Sequence, residues 1–403
     1  MTFKSAWRTE LGLPKSLLPN EAFTNNRPGT NYSQQLRTPN QLKIVSMGIA
    51  ITCFAFILLV QHCIIINAKS VPKFPAILIF GDSTVDTGNN NYISTIFQGN
   101  HRPYGENFPG RIPTGRFSDG KLVPDFLASM LGIKEYIPPF LQPDLSNHDL
   151  LTGVNFASAG SGYDDLTTTA TKVIPMSDQI KYFEQYIQKL QLIIGEEKAQ
   201  KLISGALVVV SAGTNDFIFN FYDIPTRRHQ YNITGYQDFL QSLLQNFVED
   251  LYNLGVRNML VAGLPPVGCL PIQIIAKSPF LRKCIKEENF DAQSYNVKLA
   301  TLLKQIQDAL LGSNILYSDS YHPFMHMINH PKKYGFLKTR RGCCGSGTYE
   351  AGPFCNKHRP VCKNASEYLF WDSIHPGESA YQHLSNMAMK KLRHHKLSHS
   401  KIH

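Results

Sequence analysis

The 403-residue chain contains no internal repeat and no low-complexity linker, which excludes a solenoid and a string of tethered modules. It carries no nucleic-acid-binding motif and no aromatic-basic repeat, so its formal charge of +10 does not read as a polyanion stripe. The first 69 residues hold seven Lys/Arg against two acids, about half of that excess. The rest is a solvated, mildly basic surface that tolerates an anionic cell wall or membrane environment. Gly-x-Ser-x-Gly, the sharp turn that displays a serine in α/β-hydrolases, is absent throughout. Cysteine is absent between Cys63 and Cys269. What remains is an ordinary globular composition, 43% hydrophobic and 17% charged, sized for one α/β domain once the N-terminal segment is set aside.

That segment has three parts. Residues 1–43 are a polar, basic stretch, expected to be a tail that is disordered or not translated. Residues 44–70 enclose an apolar run from Ile44 to Ala68, preceded by Lys43 and closed by the small residues Ala68 and Ser70. This is the pattern of a secretory signal, misplaced behind some forty polar residues. Either translation starts at Met47, or the run is a signal anchor with a cytoplasmic tail; Gln61 and His62 interrupt it and favour cleavage. The domain is expected over 71–395, with a short tail at 396–403.

Export accounts for the cysteines. Cys53 and Cys63 fall in the apolar run, leaving Cys269, Cys284, Cys343, Cys344, Cys355 and Cys362. An even six in an oxidising compartment pair, with fifteen possible connectivities. The adjacent Cys343-Cys344 is not a zinc-ligand spacing, so neither a metal nor an organic cofactor is expected. Cys269 is expected to pair with Cys284, and the other four to cross-link residues 343–362. Sequons at Asn232 and Asn364 fit the same route.

Short apolar runs at Val71–Phe80, Gly153–Ala157, Ala206–Ser211, Asn258–Ala262 and Asn314–Tyr317 read as buried strands. Between them lie helical patterns at Gln179–Ile194, Gln237–Leu254 and Phe290–Leu311, and a last helix is expected from Glu378 to about Leu392. Phe239, Leu240, Leu243 and Leu244, like Leu299, Leu302 and Leu303, fall at core spacing. Strands alternating with helices predict a parallel sheet covered on both faces. In such a sheet, function gathers in the loops after the strands. Those loops hold Gly81-Asp82-Ser83, Ala159-Gly160-Ser161, Gly213-Thr214-Asn215-Asp216 and Leu264-Pro265-Pro266.

A serine hydroxyl becomes a useful nucleophile only when a base removes its proton. Among fourteen histidines, His375 stands apart in Trp-Asp-Ser-Ile-His-Pro, with Asp372 three residues before it. An aspartate there can hold the imidazole tautomer that leaves the other nitrogen free for Ser83. The N–H groups of Ser83 and Gly160 and the Asn215 amide are the candidate oxyanion donors. Asp82 reads as a structural acceptor, since its side chain points away from its neighbour's, and Asp216 as structural. Arg116, Phe117 and Asp119 either line the entrance or fix a loop.

Phe-Gly-Asp-Ser-Thr-Val-Asp-Thr-Gly-Asn-Asn from Phe80, Gly-Arg-Phe-Ser-Asp-Gly from Gly115, Asn-Phe-Ala-Ser-Ala-Gly-Ser-Gly from Asn155, Gly-Thr-Asn-Asp-Phe from Gly213, and Asp-Ser-Ile-His-Pro from Asp372 stand in that order. Together they resemble the blocks of the plant GDSL esterase/lipases, a branch of the SGNH hydrolase superfamily, over roughly Phe74 to Leu392. The resemblance implies a flavodoxin-like three-layer α/β/α sandwich with a central parallel sheet. It implies Ser83 as nucleophile, Asp372 and His375 as its partners, and Gly160 and Asn215 as oxyanion donors. It further implies a secreted, extracellular or cell-wall carboxylic-ester hydrolase, or a signal-anchored lumenal one. Acyl esters of lipids, cuticle monomers and acetylated polysaccharides all fit as substrates, with no nucleic-acid partner and no stable membrane span after signal cleavage. A silent binding or defence protein, or a transacylase of cell-wall or cuticle lipids, would use the same scaffold. Thr84 departs from the family by standing where its namesake motif has leucine.

Overall fold

The computed structural model describes residues 73–169 and 171–399, with residues 52–54 and 56; beyond residue 394 only the backbone is described. The chain divides into units Met1–Ala68 and Lys69–His403. The expected tail at 1–43 and nearly all of the apolar segment at 44–70 lie outside the described residues, as do residues 400–403. Among the described residues no helix is long and apolar enough to cross a membrane.

In the second unit, β1 (Ile77–Gly81), β2 (Leu207–Ser211), β3 (Asn258–Ala262) and β4 (Asn314–Ser318) form one parallel sheet in that order. The expected strand at Gly153–Ala157 lies beside β1: Val154 O accepts from Ile79 N, and Phe156 N donates to Ile79 O. It is too short and irregular to be a full strand, because Asn155 and Pro139 limit its second side to one bridge. The spatial order is therefore second, first, third, fourth, fifth, the flavodoxin-like order, with its switch point between β1 and β2. The first strand starts at Ile77, just after Pro75, which has no N–H to give a ladder; residues 71 and 72 of the expected run lie outside the described residues.

Among the described residues, seven helices of eight residues or more cover the sheet: α1 (Val123–Met130), α2 (Met176–Ile194), α3 (Glu196–Gly205), α4 (Ile233–Asn253), α5 (Lys286–Ala309), α6 (Tyr321–Asn329) and α7 (Glu378–His399). Alternation along each strand sends successive side chains to opposite layers. Leu78, Phe80, Val208 and Val210 join Phe183, Leu244, Leu299 and Phe324 on one face. Ile77, Ile79, Leu207 and Val209 meet Leu127 of α1 and Met389 and Leu392 of α7 on the other. Leu240, Leu244, Leu299 and Leu303 are buried as their spacing predicts, while Phe239, Leu243 and Leu302 half-cover the same core. Phe80 sits 4.8 Å from Phe156 and 5.5 Å from Phe183. Truncating a core phenylalanine of this kind costs about 3–5 kcal/mol, so the strand that carries the site is firmly anchored.

A smaller parallel ribbon, β5 (Lys338–Gly342) with β6 (Tyr368–Phe370), leads directly into Trp371-Asp372. Beside it Cys343 bonds Cys362 and Cys344 bonds Cys355, while Cys269 bonds Cys284. Each bridge closes a short loop and contributes about 2–4 kcal/mol by restricting the unfolded chain. The N–H groups of Cys343 and Cys344 both donate to Trp371 O, at 2.8 Å, so the cross-linked segment holds the backbone next to Asp372.

Candidate active site

β1 ends at Gly81, whose φ of +142° and contact with Ser211 O leave no room for a Cβ. Glycine there lets the chain turn sharply, and Ser83 falls in that turn. Gln179 of α2 clamps it from below, accepting from Gly81 N and donating to Gly81 O, each at 2.9 Å. Asp82 accepts from Thr84 N at 2.9 Å and from the Thr84 hydroxyl at 2.7 Å, turned away from Ser83. Burial pushes the Asp82 carboxyl up to about 6 against the pull of those donors. Thr84 thereby gains a role that leucine could not fill: its hydroxyl pins the turn.

Ser83 Oγ lies 2.7 Å from His375 Nε2, and His375 Nδ1 lies 2.7 Å from Asp372 Oδ2. All three are at least nine-tenths buried. The carboxylate can only accept from Nδ1–H, which leaves the Nε2 lone pair facing the serine hydroxyl. Asp372 Oδ1 takes the N–H groups of Ile374 and His375, at 2.8 and 2.7 Å, closing the turn that bridges β6 and α7. Its Oδ2 receives a further donor, the Tyr104 hydroxyl at 2.7 Å. Tyr104 is itself held by Gly352 N, at 2.8 Å, from the disulfide-linked segment. Burial first, and the adjacent Asp372 charge second, keep the Tyr104 phenol protonated far above its ordinary range. Phe117 packs on His375 with ring centroids 4.9 Å apart.

Gly160 occupies the turn after the irregular strand, with φ +91°, and Asn215 the turn after β2. One Asn215 amide hydrogen goes to Ser161 O at 2.8 Å, which ties these two turns together and leaves the second hydrogen unassigned. Among the described residues no acceptor faces the N–H of Ser83 or of Gly160. Gly160 is fixed through its neighbour: Ala159 N donates to Asp86 at 3.0 Å, and Ala159 O accepts from Asn90 at 2.9 Å. The chain after Asn215 winds into a π-helical turn, Asp216–Tyr222. Asp216 accepts from Tyr163 N, Asp164 N and the Thr167 hydroxyl, and burial pushes its carboxyl up to about 7. It serves the loop, not Ser83.

Arg116 forms a buried two-pronged pair with Asp125, and Asp119 accepts from Asn107 and from the Glu378 N–H that starts α7. Both fix loops; Phe117 between them is the one that reaches the histidine. Tyr104 and Gln179 act at this centre without any local pattern to announce them, whereas Asn90 has one. Asn90 closes the Phe-Gly-Asp-Ser-Thr-Val-Asp-Thr-Gly-Asn-Asn motif that also holds Ser83, and that motif is its signal in the sequence. Tyr104, in His-Arg-Pro-Tyr-Gly, had none.

Residues 77–387 match the sequence profile of the family described as GDSL-like Lipase/Acylhydrolase. The chain is 55% identical over 345 residues to the GDSL esterase/lipase At2g31550 of Arabidopsis thaliana, covering 85% of this chain and 96% of the relative. It is 53% identical over 351 residues to the GDSL esterase/lipase At2g30310 of the same plant, covering 86% and 98%.

Proposed function

The chain belongs to the GDSL-like lipase/acylhydrolase family, and from that premise we propose that it hydrolyses carboxylic esters through an acyl-enzyme on Ser83. The observation that carries this reading is the continuous chain of 2.7 Å contacts from Ser83 through His375 to Asp372. As Ser83 Oγ attacks the ester carbonyl carbon, His375 Nε2 takes its proton and passes it to the departing alkoxide. Water then attacks the acyl-enzyme with the same imidazole as base, releasing the acid. The carbonyl oxygen, negative in the tetrahedral state, meets the N–H groups of Ser83 and Gly160 and the second Asn215 amide hydrogen. The catalytic domain is residues 71–395. Export with removal of residues 44–70 is supported by the three disulfides of the second unit, which suit an oxidising compartment.

A fluorophosphonate should modify one residue of the purified protein, in the peptide containing Ser83, and ester hydrolysis should fall in step with labelling. Full modification with hydrolysis intact would refute the reading.

Asn215→Ala should lower kcat on a short acyl ester by roughly 10² to 10³-fold with little change in KM, because the amide bond strengthens only as the oxyanion forms. Asn215→Asp should be worse, since a carboxylate repels that charge and offers no donor when ionised. Steady-state kinetics after circular dichroism check this. A folded Asn215→Ala with near-normal kcat would leave Asn215 only its bond to Ser161 O.

A further inference from the structure

Phe280 and Leu281 stand in the loop between the short helix Pro271–Lys277 and α5, with 97% and 70% of their surfaces exposed. Scattered apolar side chains on a surface are ordinary; an adjacent pair held out in water by a pinned loop is not. Arg282 N donates to Ser278 O at 2.8 Å, closing the turn beneath Phe280, and Arg282 itself takes a left-handed φ of +51°. Its Nη2 donates to Arg340 O of β5, and Arg340 Nη1 donates back to Arg282 O at 3.0 Å. Just beyond, Cys284 is bonded to Cys269, and Ile285 N donates to Gly268 O at 2.8 Å. The loop is therefore a fixed apolar tip, tied to the fold on both sides.

The charge around this tip has one sign. Residues 277–286 contain four Lys/Arg and residues 338–342 three, with no acid in either segment. Lys277 is spent on Glu288 and Asp223. Arg282, Arg340 and Arg341 are spent on no acid. Their guanidiniums donate to backbone carbonyls, that of Arg341 to Ser346 O at 2.6 Å, and none of the three forms an ion pair among the described residues. Arg340 and Arg341 are exposed and Arg282 is half-exposed. Burial first, then the charges of Arg341 and Arg340, pull the Arg282 guanidinium below its usual range, so the three cations repel one another. An anion from outside the chain relieves that repulsion, and the planar forks match phosphate oxygens.

We propose that this tip docks the protein on bilayers of anionic phospholipid, with Phe280 and Leu281 entering the boundary between headgroups and acyl chains and Arg282, Arg340 and Arg341 facing the phosphates. Docking is a binding event outside the ester chemistry and needs no turnover. A second copy of this chain would bring the same positive charge to the tip. An acidic polysaccharide would meet the arginines but leave Phe280 and Leu281 in water. An anionic bilayer answers both features at once, with negative charge at its surface and hydrocarbon just beneath.

The test places a fluorophore at the tip with Phe280→Trp and mixes the purified protein with vesicles of phosphatidylcholine alone, or of phosphatidylcholine and phosphatidylglycerol in equal parts. After subtraction of the wild-type signal of Trp7 and Trp371, the emission should move to shorter wavelength with the mixed vesicles only. In vesicle sedimentation, Phe280→Ser should weaken binding to the mixed vesicles by about tenfold. Arg340→Gln combined with Arg341→Gln should weaken it by about twentyfold. Because Phe280 lies almost wholly in water, Phe280→Ser should leave thermal unfolding and hydrolysis of a short soluble ester unchanged, which separates lost docking from a lost fold. Emission that stays put while the protein sediments with the mixed vesicles would overturn the tip as the point of contact. Equal shifts with both kinds of vesicle, or binding indifferent to the arginine substitutions, would overturn the role of the three guanidiniums. A dimer that Phe280→Ser dissolves, or an emission shift produced by soluble polygalacturonate without vesicles, would assign the tip to a second copy or to a polysaccharide and overturn the bilayer.

Discussion

Ser83→Ala is expected to lower kcat by roughly 10⁶-fold, as loss of the nucleophile does in serine hydrolases built on the same three-residue logic. The change removes one hydroxyl whose bond goes to His375 Nε2. It leaves the Gln179 clamp on Gly81 and the Asp82 bonds to Thr84 in place, so the turn should persist and thermal unfolding should shift little. The remaining activity would come from the free N–H groups and the Asn215 amide, which can still hold an oxyanion for attack by water. Fluorophosphonate labelling should vanish along with the rate. Labelling that survives in a folded Ser83→Ala protein would place the nucleophile elsewhere, and a loss of only tenfold would mean that water, not serine, attacks in the wild type.

The layers of this fold are legible because a parallel strand covered on both faces must be apolar along its whole length. Leu207 to Val210 and Met259 to Val261 are buried without exception, and no amphipathic helix imitates that run. The helices α2, α4 and α5 are legible for the complementary reason, one apolar stripe at three and four spacing. The irregular strand at Gly153–Ala157 was visible as an apolar run but not in its brevity, which depends on Asn155 turning its side chain back to Val85 O and Ala157 N. Ser83, His375 and Asp372 sit in short motifs at predictable places. What steadies them does not: Tyr104 meets Asp372 across 268 residues, and Gln179 meets Gly81 across 98. Such contacts follow from the packing of separate layers, and no periodicity within a segment encodes them. The pairing of Cys343 with Cys362 and of Cys344 with Cys355 is of the same kind, since adjacent cysteines allow either partner until the backbone is placed.

Asp372→Asn tests whether the aspartate sets the tautomer of His375 or merely closes its turn. The wild-type carboxylate faces donors only: His375 Nδ1–H, the Tyr104 hydroxyl and two backbone N–H groups. An amide of the same shape keeps one acceptor oxygen, enough for the two backbone groups at Oδ1, and presents an NH₂ to the imidazole and to Tyr104. Nδ1 must then accept, the ring proton moves to Nε2, and the lone pair that would take the Ser83 proton is gone. A loss of roughly 10⁴-fold in kcat with the fold retained is the expected result, the size found when this tautomer is reversed in other triads. Tyr104→Phe is the informative companion, because it leaves the carboxylate and its bond to Nδ1 intact. Deleting the tyrosine hydroxyl removes one donor from Asp372 and one acceptor from Gly352 N, so kcat should fall by about tenfold or less, far less than in Asp372→Asn. An Asp372→Asn protein that keeps a tenth or more of wild-type kcat would show that the bonds to the Ile374 and His375 N–H groups are the aspartate's whole contribution. An unchanged kcat in a folded Tyr104→Phe protein would confine the tyrosine to holding Gly352.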